Sequence, residues 1–214
     1  MAAAELDWAV PNLVGHLRAV QKAPSLHAGL RIAVPPADAA RYRSLLLARA
    51  GAVLGIDALE AAAHRLRLGL TFADSASGGL VPATLLAAAG LDVRSDFAEL
   101  RYTGRHDASL RLLLAGELDV IGLPADLLPA AQRTQVLVLA ESAPIPVGAM
   151  LCGGRIATRC AVLAADLAKA PEAAAIARAL AEAWPEFGAA EGFEAAPGSD
   201  YVELLAALAR EDGP

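Results

Sequence analysis

The sequence predicts an α/β fold built on a mostly parallel sheet, and three observations predict it. Residues 66–123 alternate between strand-like and helix-like segments, the pattern that places strands side by side with crossover helices between them. Two of those strands run straight into short turns rich in Ser, Thr and Gly that open helices. The composition supports a real core: 56% of the 214 residues are hydrophobic and 20% are charged, which argues against disorder.

The elements follow in order. ELDWAV (5–10) reads as a short strand, stopped by Pro11 and Asn12, and 13–21 reads as a helix. LRIAV (30–34) is strand-like, in a region punctuated by Pro24, Pro35 and Pro36. RYRSLLLARA (41–50) reads as a buried strand, although its Leu and Ala content leaves a helix open, and 57–66 suggests a short helix. LRLGLTFA (66–73) is a strand leading through Asp74-Ser75-Ala76-Ser77-Gly78-Gly79 into a helix that ends near Gly90. Ser before a helical run is a start signal and Gly after it a stop signal. FAELRYT (97–103) is the next strand, and the turn Gly104-Arg105-His106-Asp107 opens a helix that stops at Gly116. LDVIGL (118–123) and QVLVLA (135–140) are further strands. After Pro144-Ile145-Pro146 the chain reads as helical, over 161–170, 172–184 and 201–210.

Several function classes are disfavoured. Net charge is −6 with no basic block, against a nucleic-acid partner. No stretch supplies the roughly 20 apolar residues of a spanning helix; the best uncharged run, Ser75 to Leu91, is broken by Gly and Pro. The start, MAAAELDWAV, has neither the basic region nor the apolar core of an export signal. The expectation is a cytoplasmic chain, or a start other than that of an exported precursor. Cys152 and Cys160 define neither a disulfide framework nor a zinc site; two small buried thiols are the expected reading, with a bridge between them as the alternative. His16, His27 and His64 show no metal-ligand spacing, and neither a metal nor a cofactor is expected. No phosphate-loop or dinucleotide glycine motif is present. A hydrolase built on Ser77, His106 and Asp107 lacks the G-x-S-x-G elbow, and adjacent His and Asp cannot easily act in series.

The two strand–turn–helix junctions carry the candidate chemistry. Ligands of open α/β sheets bind beyond the carboxyl ends of the strands. The free N–H groups and dipole of a helix start favour an anion there. Ser75, Ser77 and Gly78 supply one set of donors, and Thr103, Arg105 and His106 a second. Two such starts facing one point would form an oxyanion cup. The alternative is that these Ser and Gly residues only cap their helices, that His106 packs, and that Asp107 answers the helix dipole.

The segment TFADSASGGLVPATLLAAAGLD, then F-x-E-x-x-Y-T-G-R-H-D-A-S-L, then AGELDVIG, resembles the phosphate/phosphite/phosphonate solute-binding proteins of ABC transporters. DWAVPNLV, RYRSLLLARA, ESAPIPVGAM and SDYVELLAAL extend the resemblance over nearly the whole chain. It implies a type II periplasmic-binding-protein fold: two α/β lobes with mostly parallel sheets, joined by a hinge and closing on a ligand. Residues 1–65 and 145–214 would form lobe one and 66–144 lobe two. The chain starts near the family's second strand, so the first strand–helix unit is expected to be missing.

The resemblance implies ligand contacts at Ser75, Ser77, Gly78 and His106, with Tyr42 reaching in from the opposite lobe. It departs from the family pattern at Ala76, at Gly79 where an aromatic is common, and at Arg105 in place of Ser. An Arg there would add a charge-assisted contact or point to solvent. The implied function is non-catalytic capture of a small anion for uptake or sensing, with a membrane permease or sensor as partner. The alternatives are a regulatory paralogue with an eroded site and a cytoplasmic enzyme on the same fold, since fold alone does not fix function.

Overall fold

The computed structural model describes residues 7–23, 26–182 and 188–211. Its strands are β1 (Trp8–Ala9), β2 (His27–Ala33), β3 (Ser44–Arg49), β4 (Arg67–Leu70), β5 (Glu99–Tyr102), β6 (Val120–Pro124), β7 (Val136–Glu141), β8 (Ala149–Cys152) and β9 (Gly192–Ala195). Its helices are α1 (Leu13–Lys22), α2 (Pro36–Ala39), α3 (Leu59–Ala62), α4 (Val81–Ala88), α5 (His106–Leu114), α6 (Cys160–Lys169), α7 (Ala173–Ala181) and α8 (Val202–Glu211). Short 3-10 turns fill several connections. No helix among the described residues is long and apolar enough to cross a membrane, and none of their His, Cys, Asp and Glu side chains form a metal-binding group.

The chain divides into two compact units, one of Met1–Ala40 with Pro146–Pro214 and one of Arg41–Ile145. The boundary therefore falls after Ala40, and residues 41–65, expected in lobe one, lie with 66–144. The reason is β3. Its run SLLLAR is buried along almost its full length, and it fills the sheet between β6 and β7. A strand covered on both faces reads as continuous apolar sequence rather than as alternation. Leu46 and Ala48 pack with Leu68, Leu86 and Val120 on one face. Leu45 and Leu47 pack with Leu110, Leu113 and Ile121 of α5 and β6 on the other.

The sheet of this second unit has the order β5-β4-β6-β3-β7. β4 is parallel to β5 and β6, as the β–α–β reading of 66–123 requires; β3 runs antiparallel to both neighbours. The sheet of the first unit, β1-β8-β2-β9, is antiparallel in every described pairing. The α/β class holds, but the expectation of mostly parallel sheets is corrected. Crossover helices set the direction only of β4, β5 and β6. The other neighbours, such as β2 with β8, meet from distant parts of the chain.

At the base of the second unit, Asp119 ties three strands together. It is 5% exposed and accepts from the Arg67 backbone N–H at 3.0 Å, Arg67 Nε at 2.8 Å and Arg49 Nη2 at 3.2 Å. Hydrogen bonds from Arg67 hold its carboxyl down at a pKa of about 2 despite burial. The network joins the ends of β3, β4 and β6 opposite the turns described below.

In the first unit, Leu30 and Ile32 of β2 meet Met150, Ala164, Ala177 and Phe193. Asn12 caps α1, its Oδ1 accepting from the Gly15 N–H at 2.7 Å. Cys152, ending β8, and Cys160, opening α6, form a disulfide, which corrects the expectation of two thiols. The 3-10 turn Gly154–Arg159 doubles the chain back, bringing the two Cα atoms to 5.9 Å, within bridging range. Spacing alone does not encode that return. The bridge closes a short loop, with a sequence separation of 8. Replacing both cysteines by Ala is expected to destabilise this unit by about 2–3 kcal/mol. Chemical denaturation followed by tryptophan fluorescence checks this, since Trp8 and Trp184 both fall in this unit's part of the sequence.

Candidate functional site

β4 and β5 end side by side, in register through Leu70 and Tyr102. The turns that follow them lie together because one residue, Thr71, bonds to both. Its N–H donates to the Gly78 carbonyl at 2.7 Å, and its carbonyl accepts from the Gly104 N–H at 2.9 Å. Its hydroxyl is 2.9 Å from His106 Nδ1. Thr71 is fully buried.

The first turn is a π-turn, Ala76–Leu80, that leads into α4. Ser75 is its cap: the Ser75 hydroxyl accepts from the Gly78 N–H at 3.1 Å, and the Ser75 carbonyl accepts from the Leu80 N–H at 2.9 Å. The Ser77 carbonyl accepts from the Ser44 hydroxyl at 2.7 Å, which fastens the turn to the start of β3. Ser77 is 3% exposed, and its hydroxyl makes no hydrogen bond among the described residues. As at any helix start, the first N–H groups have no acceptor within their own helix.

Glycine is required twice here for space. A Cβ at Gly78 would stand 2.7 Å from His106 Cε1 and 2.8 Å from Thr71 Cβ. At Gly79 it would stand 3.2 Å from the Phe72 carbonyl carbon and closer still to its oxygen. With this backbone no aromatic fits at position 79.

The second turn is Thr103–Arg105. Gly104 adopts a φ of +78°, a left-handed conformation that glycine reaches without strain. The Thr103 hydroxyl is 2.6 Å from the Ser109 hydroxyl and 3.2 Å from the Arg105 carbonyl, so Thr103 braces the first turn of α5. Arg105 Nε donates to Asp107 Oδ1 at 2.8 Å; both side chains are more than two-thirds exposed. His106 is half-buried against Gly78. Burial lowers its pKa, opposed by Asp126 and Asp107, so it is a neutral imidazole at neutral pH.

Ser75, Ser77, Gly78, Thr103 and His106 are thus brought together by two neighbouring turns. Arg105 lies in the same turn, but its guanidinium is engaged by Asp107. Tyr42 is corrected: it was expected from the opposite lobe and belongs to the same unit, where its carbonyl accepts from the Ile145 N–H at 2.8 Å. β3 draws it there. Thr71, Ser44 and Ser109 were missed. Thr71 sat inside the strand reading of 66–73, and the signal that marks it is a hydroxyl residue where a buried parallel strand gives way to a Ser/Gly turn.

A family model described as the periplasmic phosphonate substrate-binding protein of ABC transporters matches residues 13–201. No curated protein matches the sequence significantly. Among solved structures, PhnD1 from Prochlorococcus marinus in complex with methylphosphonate shares 16% identity at a TM-score of 0.65, covering 97% of this chain and 78% of its own. A binding protein component of an ABC phosphonate transporter from Pseudomonas aeruginosa shares 19% identity at 0.65, with coverages of 97% and 69%. The periplasmic sulfonate-binding protein SsuA from Methylobacillus flagellatus shares 13% identity at 0.60, with coverages of 99% and 69%. The fold is that of type II periplasmic binding proteins.

Proposed function

Because the chain belongs to the phosphonate-binding family of ABC-transporter substrate-binding proteins, we propose that it captures a small tetrahedral oxyanion of the phosphonate class at the paired turns, without catalysis. The observation that carries this reading is the junction at Thr71, which holds the starts of the π-turn and of α5 side by side. The two neighbouring helix starts offer backbone N–H groups that have no acceptor within their own helix, and aligned dipoles, to an anion. Ser77 adds a buried hydroxyl, and His106 a neutral ring whose N–H can donate. Gly78 keeps the backbone close to the bound oxygens. Arg105, already paired with Asp107, adds little net charge. Phe72 and Tyr102, each about half exposed at the ends of β4 and β5, supply apolar surface for an organic substituent.

The proposed partner is a membrane permease that receives the bound anion, or a sensor that reads it. The proposed location is outside the cytoplasm, where a disulfide such as Cys152–Cys160 persists.

Thermal denaturation with methylphosphonate, phosphate and an alkanesulfonate tests the reading. An anion present at about 100 times its Kd adds roughly 2.7 kcal/mol to stability, seen as a rise in Tm. Ser77→Ala and His106→Ala are each expected to fold and to lose most of that rise. An unchanged rise in both variants contradicts the proposed site. No rise with any of the three anions returns the chain to the regulatory reading.

A further inference from the structure

Thr71 and His106 share one hydrogen bond, and its direction decides where the imidazole carries its proton. The Thr71 hydroxyl is 2.9 Å from His106 Nδ1, its only hydrogen bond among the described residues. Thr71 has no accessible surface, so water cannot serve as a second partner. The bond can run either way, since a hydroxyl and a neutral imidazole nitrogen each donate or accept. If Nδ1 carried the proton and donated, the threonine proton would be buried without an acceptor, and leaving a buried donor unpaired is costly. If the hydroxyl donates, its proton and the Nδ1 lone pair are both satisfied. The second direction therefore prevails. Burial lowers the pKa of His106 and keeps the ring neutral at neutral pH, so its single proton then lies on Nε2. That nitrogen makes no hydrogen bond among the described residues and is not closed off from solvent.

We infer that Thr71 is a positioning residue for anion capture: its hydroxyl holds His106 as the Nε2–H tautomer, so that the ring presents a donor to the ligand. A lone pair in that place would repel an anionic oxygen. The backbone of Thr71 has a separate task, its N–H bonded to Gly78 and its carbonyl to Gly104, which leaves the hydroxyl to His106. Without that partner the ring would divide its proton between two nitrogens and stand in the binding-competent form only part of the time, which weakens the apparent affinity in proportion. The inference rests on the anion reading above and adds a reason for a hydroxyl residue just past the end of β4.

Nitrogen-15 NMR of the histidine-labelled full chain reads the tautomer without any ligand, at about pH 8, where an imidazole of ordinary or lowered pKa is neutral. His106→Ala assigns the signals. In the parent, Nε2 is expected to show the pyrrole-type signal of a protonated nitrogen and Nδ1 the pyridine-type signal. Calorimetry with methylphosphonate reads the affinity. Thr71→Val keeps the shape and both backbone bonds but loses the donor. It should give mixed tautomers at His106 and bind about fivefold more weakly, the worth of one net hydrogen bond. Thr71→Ser returns the hydroxyl and should restore the Nε2–H signal, with affinity within about twofold of the parent. An Nδ1–H tautomer in the parent overturns the inference, even if Thr71→Val does not fold. A folded Thr71→Val protein that keeps the parent's tautomer or the parent's affinity overturns it too. A parent that binds no methylphosphonate contradicts the anion reading itself and takes this inference with it; the tautomer, read without ligand, tells the two failures apart.

Discussion

Gly78→Ala is expected to reduce affinity for methylphosphonate at least about tenfold and to leave the protein folded. The added methyl would press on Thr71 Cβ and His106 Cε1. Neither is the free end of a long chain: Thr71 is fully buried and bonded to both turns, and His106 opens α5. The two turns must part by several tenths of an ångström. Inserting one methyl into a packed site costs about 1–3 kcal/mol, spent on the geometry that holds both helix starts side by side. A loss of about 1.4 kcal/mol in binding is already tenfold. Isothermal titration calorimetry reads the affinity, and the denaturation midpoint reports whether the fold survives. Parent-like affinity in a folded Gly78→Ala protein contradicts the placement of the anion at this turn.

Acid is expected to weaken the first unit by about 3 kcal/mol between pH 6.5 and pH 4, through His16. This side chain is 3% exposed. Its Nδ1 accepts from the Ala149 N–H at 3.4 Å, and its ring meets Tyr201 edge-on, with centroids 4.5 Å apart. Desolvation alone lowers its pKa from 6.5 to about 4. Above pH 6.5 the ring is neutral in both folded and unfolded chains, and its packing counts in full. As pH falls from 6.5, the unfolded chain takes the proton first, and stability drops until the folded form protonates near pH 4. Each pH unit in that window is worth about 1.4 kcal/mol. Denaturation at a series of pH values, read by tryptophan fluorescence, checks this. His16→Phe keeps a flat ring but cannot titrate, so it should flatten the slope between pH 6.5 and 4; an unchanged slope assigns the loss to other groups.

Much of the second unit was legible because its signals are local. The strand over 66–73, the Ser/Gly turn and the helix stop at Gly90 are written in one stretch, and the structure follows with β4, the π-turn and α4. The start of α5 was legible for the same reason. What escaped the sequence depends on contacts between distant segments. β8 and β9 are only four residues each, too short for alternation to stand out. The pairing of β3 with β6 and β7 joins segments about 75–90 residues apart in sequence, and it decided both the unit boundary and the place of Tyr42. Thr71 was hidden by the strand reading, since nothing local says that its hydroxyl turns toward His106. The Cys152–Cys160 bridge depends on a 3-10 turn that spacing does not encode.

The proposal stands on the amide groups of the two turns. Amide NMR of the labelled protein during a methylphosphonate titration tests it most directly. The predicted result is a saturable set of large shifts centred on Ser77, Gly78 and His106, with small shifts elsewhere in the Arg41–Ile145 unit. Saturable binding that leaves those three resonances unmoved would contradict it.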